Sequence, residues 1–112
     1  MTRSNQEIQM SSSVIVRYEL DPDRLEEHVR LIENVFAHLE STKPDGVHYG
    51  VMRSEDGTSF THIGIYESEE AQQAASGNEA FQAFVAEIGE RCIVPPEGVS
   101  QTIIANHGIF GG

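Results

Sequence analysis

The chain has 112 residues, with 18 Asp plus Glu against 7 Lys plus Arg, so its formal charge is −11 with His neutral. Apolar residues make up 38% and charged residues 22%, which suits one globular domain with a single core and not a disordered chain. The acid excess speaks against a nucleic-acid or anionic-membrane surface, which needs clustered Lys and Arg, and no apolar run approaches the ~20 residues of a bilayer crossing.

The first dozen residues are polar and without period, and read as a loose arm (1–12) ahead of one domain (13–107) and a short Gly-rich tail (108–112). They show no charged-then-apolar leader. The single cysteine, Cys92, cannot close an internal disulfide, and both features point to the cytoplasm. Residues 14–20 are β-branched and aromatic, a strand. Asp21-Pro22 then supplies a helix cap and a first-turn proline. Leu25, Val29, Ile32, Phe36 and Leu39 recur at steps of three and four, one face of a helix that ends before Lys43-Pro44-Asp45-Gly46.

Residues 47–53 and 60–66 read as the two strands of a hairpin. Glu55-Asp56-Gly57 fits a three-residue loop between them, with Gly57 left-handed. Ser68-Glu69-Glu70 caps a second helical stretch, interrupted near Gly77 and resumed over 79–91. Phe81, Phe84, Val85, Ile88 and Cys92 share its inner face. Pro95-Pro96-Glu97-Gly98 breaks the pattern before a last strand over 99–106. The order β-α-β-β-α-β is that of a ferredoxin-like α+β domain, two helices on one face of a four-stranded antiparallel sheet. The strands carry apolar residues on both parities: Val14, Val16, Tyr18 and Leu20 against Ile15, and Val47, Tyr49, Val51, Ile63 and Ile65 against Met52, Phe60 and Tyr66. A sheet with one wet face alternates more cleanly, so a homodimer joined through sheet faces is expected.

The segment Phe60-Thr61-His62-Ile63-Gly64-Ile65-Tyr66-Glu67-Ser68-Glu69-Glu70-Ala71, followed by Ser76 and by Phe81-Gln82-Ala83-Phe84, resembles the antibiotic biosynthesis monooxygenase family, within the dimeric α/β barrels. The resemblance implies a homodimer whose sheets close into a barrel, with a small pocket between sheet and helices in each subunit. It further implies, for many relatives, oxidation of phenolic or quinol-like aromatics by O2 without metal or flavin, so no cofactor is expected. The chain departs from the pattern at Tyr66, where many relatives carry Trp, and at Ala75 and Ala80, where many carry His; it has no Trp at all, which points away from haem degradation.

Five histidines supply the side chain most useful near neutral pH. A three-residue loop pairs His48 with Gly64 and Gly50 with His62, placing His48 and His62 on one face about 7–8 Å apart, on a diagonal. A glycine opposite each leaves room for a pocket, or for the approach of a partner sheet. A two-residue Asp56-Gly57 turn would instead put the two histidines on opposite faces. His28 falls about 40° from the centre of the first helix's stripe, near the interior. Two diagonal histidines do not meet the three or four convergent ligands of a metal site, and no metal is expected. Tyr18, Tyr49 and Tyr66 lie on strands, where a buried phenol needs a hydrogen-bond partner. The expected site therefore has His62 as the base for a small aromatic substrate, with His48, Tyr66, Phe60 and His28 around it. Two other readings stand beside an oxidation: a non-catalytic small-ligand-binding or accessory dimer, and a polyketide-type cyclase or isomerase.

Overall fold

The computed structural model of the chain describes residues 12–107. Its strands are β1 (Ser12–Leu20), β2 (Val47–Arg53), β3 (Ser59–Tyr66) and β4 (Cys92–Gln101), all paired antiparallel in the order β2-β3-β1-β4. A 3-10 turn, Pro22–Arg24, leads into α1 (Leu25–Thr42), and α2 (Glu69–Ser76), α3 (Glu79–Val85) and α4 (Ile88–Arg91) lie between β3 and β4. This is the expected ferredoxin-like α+β arrangement. The expected arm and tail fall almost wholly on residues 1–11 and 108–112, outside the described residues.

The caps explain where the helices start. Asp21 accepts a hydrogen bond from the Asp23 amide, Ser68 from the Ala71 amide and Asn78 from the Phe81 amide. The inward row of α1 is Leu25, His28, Ile32, Val35 and Leu39, with His28 and Val35 buried. It lies one residue from the expected row through Val29 and Phe36, so His28 stands at its centre and not on its flank. The expected single helix over 79–91 is two helices. Ala86 is extended and Glu87 left-handed (φ 65°), so Cys92 opens β4, and Val85 is 42% exposed. The Arg91 guanidinium replaces the helical bonds lost there by donating to the Phe84 and Ala86 carbonyls.

Two strand expectations are corrected. β4 starts at Cys92, ahead of Pro95 and Pro96, and ends at Gln101. It is an edge strand whose register with β1 shifts between Arg17 and Glu19, so the prolines sit in a bulge where no ladder donor is required. In the hairpin, Gly57 is left-handed as expected (φ 87°), but the loop has four residues, closed by the Ser54 amide on the Ser59 carbonyl (2.9 Å). The Asp56 carboxylate holds this loop through the amides of Thr58 (2.9 Å) and Ser59 (3.0 Å) and the Ser59 hydroxyl (2.8 Å).

That extra residue shifts the register by one. His48 pairs with Ile65, Tyr49 with Gly64, Gly50 with Ile63 and Val51 with His62. His48 and His62 therefore point to opposite faces of the sheet. The face under the helices carries Val14, Val16, Tyr18 and Leu20 of β1, Val47, Tyr49 and Val51 of β2, and Phe60, His62, Gly64 and Tyr66 of β3. The outer face carries Ile15, Met52, Ile63, Ile65 and Val99. The core gathers Tyr18, Leu20, Val35, Phe60 and Phe84, with a smaller cluster of Tyr66, Ala71 and Ala75.

Candidate functional site

Four strand residues project from the helix-covered face into one neighbourhood: Tyr18 from β1, Tyr49 from β2, and His62 and Tyr66 from β3. Two more polar groups reach it from the helices, His28 from α1 and Arg91 from the end of α4. All but Tyr66 form a continuous chain. Arg91 Nε donates to His28 Nδ1 (3.0 Å), and His28 Nε2 lies 2.6 Å from the Tyr18 hydroxyl. That hydroxyl is 2.6 Å from His62 Nε2, and His62 Nδ1 is 2.6 Å from the Tyr49 hydroxyl. His28, Arg91, Tyr18 and His62 are all nearly inaccessible, at 0, 2, 4 and 4% exposure.

Aromatic rings insulate the chain. Phe84 lies 5.1 Å from the His28 ring and 5.3 Å from the His62 ring, centroid to centroid. Phe60 stacks on Tyr18 at 5.6 Å and meets His28 edge-on at 5.1 Å. Burial pushes both histidines down to about 4, with the Arg91 charge adding to the effect on His28 and His28 adding to that on His62. Burial likewise raises the hydroxyls of Tyr18, Tyr49 and Tyr66 above the ordinary phenol value. At neutral pH the two imidazoles and three phenols are therefore uncharged, and Arg91 holds the chain's charge.

One end of the chain opens onto a cavity of about 150 Å³ between the sheet and the α3–α4 segment. Its walls are Val14, Val16, Tyr18, Tyr49, His62, Gly64, Tyr66, Phe81, Phe84, Val85, Ile88 and Pro96. The Tyr66 ring lies back over Gly64, where a Cβ would fall 2.5 Å from the Tyr66 hydroxyl oxygen. Glycine at this strand position is what allows a tyrosine to lie flat in the wall.

Among the residues expected at a site, His62 and Tyr66 meet at this cavity. His28 stands behind it, joined through Tyr18. Phe60 is one layer further in and is not among the lining residues. His48 is on the other side of the sheet, with Nε2 2.7 Å from the Glu67 carboxylate, so the shared His48–His62 site does not form. Tyr18, Tyr49 and Arg91 are the participants that the expected site does not include. Arg91 carries a signal: it follows Phe84 and Ile88 at steps of four and three, a cation on an apolar row. Among the described residues no three His, Cys, Asp or Glu side chains group as a metal site needs.

The model of the antibiotic biosynthesis monooxygenase family matches residues 11–87, well over half of the chain. The chain belongs to that family. No curated protein matches it in sequence. Solved structures with this fold include a proposed antibiotic biosynthesis monooxygenase from Caulobacter crescentus, with TM-score 0.73 and 18% identity over 94% of this chain and 100% of that one. A similar protein from Bacteroides thetaiotaomicron gives 0.74 and 17% over 88% and 93%. SnoaB from Streptomyces nogalater, a cofactor-independent oxygenase solved as a point variant, gives 0.65 and 13% over 86% and 95%. At such identities the likeness is one of fold.

Proposed function

We propose that this family member oxidises a single-ring phenol or quinol-like aromatic with O2, without a cofactor, in the cavity beside Tyr49 and His62. The observation that carries the reading is the cavity itself. An apolar space near 150 Å³ accommodates one benzene-sized ring, and Tyr18, Tyr49, His62 and Tyr66 are the polar side chains among its lining. In such a reaction the phenol and O2 give a quinone and water. The ionised ring donates electrons to O2, one oxygen atom bonds to a ring carbon, and the other leaves as water with the ring's C–H proton and the phenol's O–H proton.

Both ring nitrogens of His62 are engaged by tyrosines, so His62 acts on the substrate oxygen through Tyr49 and not by direct contact. Tyr66, Phe81 and Phe84 supply the flat walls. The same engagement supports a second reading, a binding dimer without turnover, because no uncommitted base faces the cavity. For the polyketide-type cyclase or isomerase, a cavity of about 150 Å³ has room for one ring and not for several fused ones.

Oxygen uptake with phenol, catechol and hydroquinone tests the proposal. Uptake above the rate in buffer, with quinone formation and a fall of about 10²–10³ in His62→Ala, the size of losing one donor to a charged oxygen, is the expected result. Saturable binding with no uptake would leave the accessory reading.

A further inference from the structure

The hydrogen-bonded chain has only one consistent arrangement of protons. Arg91 Nε can only donate, so His28 Nδ1 accepts, and the neutral imidazole carries its proton on Nε2. His28 Nε2–H therefore donates to the Tyr18 oxygen. The Tyr18 hydroxyl then has its own proton for its other partner, His62 Nε2, which leaves the His62 proton on Nδ1 and directed at the Tyr49 oxygen. Tyr49 Oη accepts that bond. Among the described residues its only hydrogen-bond partner is His62, so its own O–H has no acceptor among them, and Tyr49 is one of the residues that line the cavity. Reversing the direction would put a proton on His28 Nδ1, against the Arg91 N–H.

The charge at the far end works in the same sense. Arg91 is 2% exposed, and among the described residues no carboxylate pairs with it. Its contacts are the carbonyls of Phe84 and Ala86, His28 Nδ1 and the Phe84 ring, 5.6 Å from the guanidinium carbon. A buried cation held only by neutral acceptors polarises every bond leading away from it and favours negative charge nearby.

We infer that Arg91 fixes the direction of this chain and makes the Tyr49 hydroxyl a committed hydrogen-bond donor to the cavity. The cavity then takes single-ring molecules that present an accepting oxygen, an ionised phenol or a quinone-type carbonyl, over ones that must donate. The ligand class deepens the proposed oxidation and rests on the same cavity; the direction of the chain does not depend on turnover. Arg91, His28 and Tyr18 are positioning residues here, since none of the three presents the accepting oxygen with its donor.

The tautomers of the ligand-free protein test the direction. In long-range 15N NMR at neutral pH, His28 should appear with its proton on Nε2 and His62 with its proton on Nδ1; a His62 protonated on Nε2 overturns the inference. Arg91→Met should leave His28 and His62 as tautomer mixtures, and an unchanged His62 in the folded variant overturns the role of Arg91. Should that variant fail to fold, His28→Phe severs the chain one link further on and carries the same expectation for His62. The ligand class is read from binding without chemistry. Tyr49→Phe should weaken benzaldehyde by about 2- to 10-fold, the size of one hydrogen bond, and change toluene and pyrrole by less than about twofold. Equal effects on the three overturn it. Loss of O2 uptake with these results intact would count against the oxidation alone.

Discussion

His28 and His62 each carry a cost that depends on pH. Both are held near 4 in the fold, against an ordinary value of 6.5, chiefly because burial disfavours the imidazolium. Between about 4 and 6.5 the unfolded chain therefore binds more protons than the folded one, and stability rises with pH. The contribution is complete above 6.5 and lost as pH falls towards 4, below which these two groups add no further slope. Urea midpoints should fall between pH 6.5 and 4, and His62→Phe should flatten part of that fall; a wild-type midpoint constant across the window would refute it. The same two residues mark how far sequence reading reaches. His28 is recognisable as interior from the 3.6-residue period, and a phenol on a strand as needing a partner. That His28, Tyr18 and His62 serve one another depends on strands and helices far apart in the chain, which no local period reports.

At the scale of elements, β1 and β2 are legible from β-branched and aromatic runs, and α1 and α2 from their caps. The hairpin register is not, because it turns on one side chain. Asp56 binds the amides of Thr58 and Ser59, making the loop four residues long and turning His48 to the opposite face from His62. Hydrogen bonding to the Thr58 amide first, then to the Ser59 hydroxyl and amide, also holds the Asp56 carboxyl below its ordinary value. In Asp56→Ala, amide exchange at Thr58 and Ser59 should speed up by roughly 2- to 10-fold, the loss of one hydrogen bond each, while β1 amides stay protected. Unchanged exchange would show that the loop holds its length without the carboxylate. The start of β4 is hidden for a related reason: Pro95-Pro96 resembles a chain break, yet at a bulged sheet edge a missing N–H costs no ladder bond.

Across the whole molecule, charge and apolar surface separate. Asp23, Glu26, Glu27, Glu33, Glu69 and Glu70 are exposed on or beside the helices. The outer face of the sheet instead presents Met52 at 53% and Val99 at 50% exposure, beside Ile15 and Ile63. The family fold and this face together support a homodimer joined sheet to sheet. Wild type should then sediment at twice the 12.4 kDa chain mass, and Val99→Asp should shift it towards monomer while retaining the fold. A wild-type species of 12.4 kDa at micromolar concentration would refute the pairing.

The break between α3 and α4 ties two events together. Phe84, Val85 and Ile88 wall the cavity, and the carbonyls that hold Arg91 belong to Phe84 and Ala86 within the same stretch. One stretch of backbone therefore does two things: it shapes the wall through Phe84 and Val85, and it anchors the cation through the Phe84 and Ala86 carbonyls. A substitution that moves the wall at Phe84 also moves the anchor of Arg91, and with it the alignment of every bond that leads to Tyr49.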